Sequence, residues 1–173
     1  MNILINMLSN FLLASSGIIL YMSTPDNIFI IRNVICNTGI IYYVTDTIAE
    51  IVIKRRLMYI PHHLCAIIAL NKIYYINFDI NDLQILGLTF SLIEYTSLII
   101  NLRTLMKRHK KLLLKYDILL YKNYVIIRCI ILPYVIYNYI DDLILLYCSW
   151  SVYSMSLIWT IQWTNTLYNQ MIY

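Results

Sequence analysis

The fold class this sequence predicts is an all-α polytopic membrane bundle of about six transmembrane helices around a polar chamber that opens to the cytoplasm. Three observations carry that reading. Of the residues, 61% are hydrophobic and 13% charged, against roughly 25% charged in soluble domains, and the mean hydropathy is +0.68. The 173 residues, divided by the ~20 apolar residues a span needs plus short loops, allow five or six spans in a single domain. Ionisable residues also recur at one depth inside the apolar runs, where a charge marks a functional site by default.

The runs cover approximately 3-22, 33-53, 58-76, 83-102, 118-140 and 143-164. Ser23-Thr24-Pro25-Asp26-Asn27 ends the first. Asn2, Asn6, Ser9 and Asn10 dilute that run, but without a basic leader or a small-residue cleavage site it reads as a span rather than a signal peptide. Lys54-Arg55-Arg56 ends the second run, Asn77-Phe78-Asp79 the third, Lys107-Arg108-His109-Lys110-Lys111 follows the fourth, and Asp141-Asp142 divides the last two.

Cytoplasmic loops collect Lys and Arg. With both termini cytoplasmic, loops 54-57 and 103-117 hold nine of the thirteen basic residues, while the opposite loops hold Asp26, Asp79, Asp82, Asp141 and Asp142. The net charge of +4 is thus a topology signal and does not point to nucleic acid. The run 107-111 is also suited to anionic headgroups, at about 1 kcal/mol per basic residue.

Asp46, His63 and Glu94 fall eight, seven and nine residues from the basic breaks, which at ~1.5 Å per residue is roughly 10-14 Å deep; Arg128 lies about 15 Å in. A lone charge there costs about 2.5-3.5 kcal/mol on insertion scales, so these groups should face one another or a wet cavity. Asp46 and Glu50 share a helix face; either can accept from Arg128 or fix a histidine tautomer. An ion pair between Arg128 and Asp46, Glu50 or Glu94 is expected, with a contact to a lipid phosphate or carboxylate as the other reading. His62 and His63 diverge by about 100° around a helix, so one should face the chamber and the other pack beside Pro61.

No metal or cofactor is expected. There are three histidines, too few for a many-histidine di-iron centre, no C-x-x-C or H-x-x-x-H zinc spacing occurs, and no glycine-rich phosphate loop is present. Cys65, three residues after His62, reads as packing, as do Cys36, Cys129 and Cys148. Neither half repeats the polar pattern of the other, against an inverted-repeat transporter.

The stretch 42-70, with aspartate in one span, a basic break and His62-His63 opening the next, resembles the core of the TLC domain. That family includes translocation-associated membrane proteins, ceramide synthases and smaller TLC proteins linked to lipid homeostasis. The segment 91-SLIEYTSLIINLR-103 is similar to the Glu-Ser-Thr…Asn-x-Arg segment of the smaller members. The resemblance implies an endoplasmic reticulum or related membrane, membrane lipids and acyl-CoA as partners, and, from the ceramide synthases, His62 and His63 as catalytic residues for acyl transfer. Asp46 would orient a histidine, with Lys54, Arg55 and Arg103 near the thioester's phosphates. Glu50, Glu94, Asn101, Arg103 and Arg128 would form the lipid-binding or structural polar layer. The downstream His-Asp motif of ceramide synthases is absent, which leaves two readings open: an acyltransferase-like enzyme, or a non-catalytic protein that binds lipid, organises the membrane or assists trafficking.

Overall fold

The computed structural model describes residues 3-54, 60-76 and 78-172, with the side chains of residues 53 and 54 not described. Among the described residues the structure is all α, with no strand. Seven α-helices form six rods: α1 (Ile3–Tyr21), α2 (Ile28–Ala49), α3 (Ile60–Tyr75), α4 (Ile80–Arg108), α5 (Leu114–Val125), α6 (Leu132–Tyr139) and α7 (Leu143–Ile172). A π-helical turn, Glu50–Lys54, extends α2, and another, Ile126–Ile131, joins α5 to α6 as one rod. Five rods are long and apolar enough to cross a membrane; α3, at 16 residues, spans about 24 Å. The chain is an integral, multi-pass membrane protein by these helices.

Helices outrun the apolar runs because a charged residue ends a hydrophobic stretch without ending a helix. So α4 runs to Arg108 rather than stopping near 102, and α7 reaches Ile172 rather than 164. The connection expected over 103-117 shrinks to five residues, 109-113. It turns at Lys110, whose φ of 55° lets the Lys111 N–H donate to the Met106 carbonyl at 2.9 Å, the left-handed close usual at helix ends. At the other face Asp79 caps α4 by accepting from the Asp82 N–H at 2.7 Å, and Asp142 accepts from Ile144 and Leu145 at the start of α7. Pro61 sits in the first turn of α3, where its missing N–H is tolerated. Pro133 lacks an N–H for the carbonyl one turn back and its ring crowds it; the chain widens into the π-turn just ahead of it.

The rods close into a ring: α1 packs on α2 and α4, α2 on α3, α3 on α7, and the α5–α6 rod on both α7 and α4. Buried positions on α2 (Ile28, Arg32, Ile35, Gly39, Tyr43 and Asp46) recur at three- and four-residue intervals, so one stripe faces inward. The outer surface carries large apolar side chains such as Ile30, Val52, Ile130 and Tyr147, as a face set against lipid requires. Lipid tails are as apolar as leucine, so close packing holds such helices together. Gly17 of α1 and Gly87 of α4 cross backbone to backbone: a Cβ on Gly17 would lie 2.6 Å from the Gly87 carbonyl oxygen. Arg32, just before the apolar run 33-53, is buried on α2 and reaches the Ile76 carbonyl.

Candidate functional site

Inside the ring, at the end where α1 begins and α4 finishes, is a polar chamber of about 540 Å³, within the range of small-molecule sites. Asp46, Glu50, His62, His63, Glu94 and Asn101 all line it. Asp46 and Glu50 come from the end of α2 and its π-turn, the histidines from the first turn of α3, and Glu94 and Asn101 from one face of α4. Thr104 and Arg108 continue that face to the mouth.

The two histidines do not divide between chamber and packing as their spacing predicts. Both are buried, both line the chamber, and their ring centroids are 5.6 Å apart. Their surroundings differ. His63 Nε2 lies 3.5 Å from Asp46 Oδ2 and Nδ1 lies 3.3 Å from the Thr47 hydroxyl, so both ring nitrogens are engaged. His62 Nδ1 is buried and has no hydrogen-bond partner among the described residues, a condition that costs about 1-3 kcal/mol for a polar group. Its ring stands against Trp159 of α7 and Tyr43 of α2, at 6.4 and 6.3 Å.

A second compartment lies end to end with the first. It is a narrow slot of about 60 Å³ walled by α3, α4 and α7, with Cys65, Ala69, Ile73, Leu86, Phe90 and Val152 among its lining residues. Along α3 it runs from His62 to Ile73, about 16 Å, or roughly one leaflet of a ~30 Å hydrocarbon core. Among the described residues only Tyr43 and His62 line both compartments. Tyr43 donates its hydroxyl hydrogen bond to Glu94.

Arg128 does not form the expected ion pair. It is fully buried on the π-turn of the fifth rod, donating to the Thr96 hydroxyl, to Ser156 Oγ at 3.1 Å and to the Ile93 carbonyl at 3.0 Å. The reason is positional: the Thr96 hydroxyl and the Ile93 backbone carbonyl are the groups of α4 that meet Arg128, while the Glu94 carboxylate turns to Tyr43. Arg128 lines neither compartment and ties α4, α7 and the fifth rod together.

Arg103 also lies apart from the chamber lining. Its guanidinium holds Asp117 through Nε at 2.6 Å and Nη2 at 3.1 Å, Trp163 Nε1 donates to the same carboxylate at 2.7 Å, and the guanidinium stacks 4.3 Å over the Trp163 ring. Asp117, read as a loop residue, is fully buried in α5. Lys54 and Arg55, the other cations assigned to the mouth, fall outside the described side chains; Arg108 is the described cation that lines it.

Sequence reasoning passed over three contributors. Asn6 and Asn10 project from α1 into the chamber, Asn10 accepting from Tyr42 at 3.0 Å; their i, i+4 spacing in an apolar run was the available signal. Tyr43 carried none among 17 tyrosines. Among the described residues no three His, Cys, Asp or Glu side chains are grouped to hold a metal ion. Comparison of the chain with protein-family models, curated proteins and solved structures finds no match.

Proposed function

We propose that this membrane protein binds a single-chain lipid along the ring axis, polar end in the chamber and tail directed along the slot, which widens to take it, and transfers an acyl group from acyl-CoA to an amine or hydroxyl acceptor. One observation carries the reading: His62 stands on the wall shared by a polar and an apolar compartment, with a buried ring nitrogen that has no hydrogen-bond partner among the described residues. The thioester carbonyl would lie at that wall. An imidazole there takes the proton of the acceptor's N–H or O–H as the new bond to the acyl carbon forms. The C–S bond breaks, and the departing thiolate recovers that proton. His63, fixed by Asp46 and Thr47, positions the neighbouring ring, and Arg108 sits where the phosphates of CoA would pass. The resemblance to TLC proteins agrees with this assignment and adds the endoplasmic reticulum, with the chamber mouth and both termini on the cytoplasmic side.

A second reading, lipid binding without turnover in membrane organisation or trafficking, is favoured by one specific feature: the Asp46 carboxylate lies against His63 rather than His62. Lipidomics separates the two. Eukaryotic cells lacking their own ceramide synthases would express this chain or its His62→Ala or His63→Ala variant at matched membrane levels. New ceramide or another acylated lipid that vanishes with His62→Ala and falls with His63→Ala is the expected result. Identical lipid profiles in all three rule out transfer and leave the binding reading.

A further inference from the structure

The two compartments are separate cavities that share, among the described residues, two wall residues, Tyr43 and His62. Tyr43 is 2% and His62 6% exposed, their rings set edge to face at 87°. The hydrogen bond from Tyr43 to Glu94 joins α2 to α4, which also touch each other directly, at the level where the slot gives way to the chamber. Below the bond are Thr89, Phe90 and Ile93 of the slot; above it are Ser97 and Asn101 of the chamber. A chain passing from one to the other must displace one of the two rings, and the Tyr43 ring cannot turn without releasing Glu94.

We infer that the Tyr43–Glu94 bond is a gate between the compartments, keeping the slot shut from the chamber until the hydrocarbon tail of an amphiphile displaces the tyrosine ring. That a tail is what crosses rests on the proposed function; the gate itself does not. The bond suits the task because it joins one hydroxyl to one carboxylate, both buried, and reforms without any change in covalent structure. Tyr43 is thereby a specificity-determining residue, admitting tails and holding polar solutes back from Cys65.

Cys65 lines the slot and not the chamber, which makes it a built-in reporter. The test uses the full chain in phosphatidylcholine nanodiscs with Cys36→Ala, Cys129→Ala and Cys148→Ala, and follows labelling of Cys65 by a charged methanethiosulfonate reagent. A Ser97→Cys version without Cys65 reports the chamber. Cys65 is expected to react at least tenfold more slowly than the chamber position. Tyr43→Ala should bring it to within about threefold of the chamber rate. Tyr43→Phe, which keeps the ring and removes the bond, should fall between. The gate is overturned if Cys65 already reacts at the chamber rate, or if both variants, monodisperse by gel filtration, keep the parent rate. Hexadecanoate added to Tyr43→Ala should restore protection. Faster labelling in the variants that hexadecanoate cannot reverse removes the tail assignment while leaving the gate.

Discussion

Replacing Arg103 by methionine should destabilise the folded protein by about 3-5 kcal/mol, the usual consequence of stripping one partner from a buried ion pair. The structure sets the size. Asp117 is fully enclosed, and two of the three described bonds to its carboxylate come from Arg103. Methionine leaves the Trp163 N–H alone to hold a desolvated charge, and also removes the stack on the Trp163 ring, itself about 0.5-1 kcal/mol. Unfolding in mixed micelles, followed by tryptophan fluorescence as the denaturing detergent is raised, gives the free energies for Arg103→Met, Asp117→Leu and the pair combined. The double variant should be more stable than Arg103→Met, because the stranded carboxylate is gone. A loss under about 1 kcal/mol for Arg103→Met, or strictly additive losses, would refute this account and return Arg103 to the role of a free phosphate-binding cation.

Arg128→Met should cost clearly less than Arg103→Met, since Thr96 and Ser156 also donate to the Ile93 and Val152 carbonyls of their own helices and no carboxylate lies within ion-pairing distance of Arg128 among the described residues; the same titration decides. Gly17→Ala should lose about 1-3 kcal/mol by overpacking, because its Cβ meets backbone, whereas Gly39→Ala, which meets the flexible end of Leu70, should lose less, as read from thermal melts of the two. Burial pushes the Asp142 carboxyl up, but Lys72, at 2.6 Å, and the N–H groups of Leu145 and Ile144 outweigh it and hold the group below its ordinary value. Its contribution is therefore complete above the unfolded value of about 4 and disappears as pH falls through the lower folded value. Melts between pH 6 and 3 should show a steeper loss for the parent than for Asp142→Asn, and parallel curves would contradict it.

Six rods and a shared polar layer were legible because apolar runs and charge depth are properties of sequence alone. Asp46, Glu50, His62, His63, Glu94 and Asn101 converge on one chamber for the reason given by the cost of an isolated charge. Arg103 and Arg128 show where that reasoning stops. It says an arginine in a membrane helix needs partners but not which, and hydroxyls or a distant aspartate serve as well as the nearest carboxylate. Asp117 was hidden by its basic neighbours, which made its segment look like a loop. The π-turns leave no periodic trace, although Pro133 marks one of them.

The Gly17–Gly87 crossing also bears on how the protein is made. Ribosomes deliver roughly 5-20 residues each second, so α1 waits several seconds in the bilayer before α4, its principal neighbour, has been synthesised. Throughout that interval Asn6 and Asn10 lack the walls of the chamber, and α1 has only α2 and then α3 for company. A nascent chain halted before α4 presents a half-built ring with its polar lining turned to lipid, the state that a membrane chaperone or quality-control protease would meet.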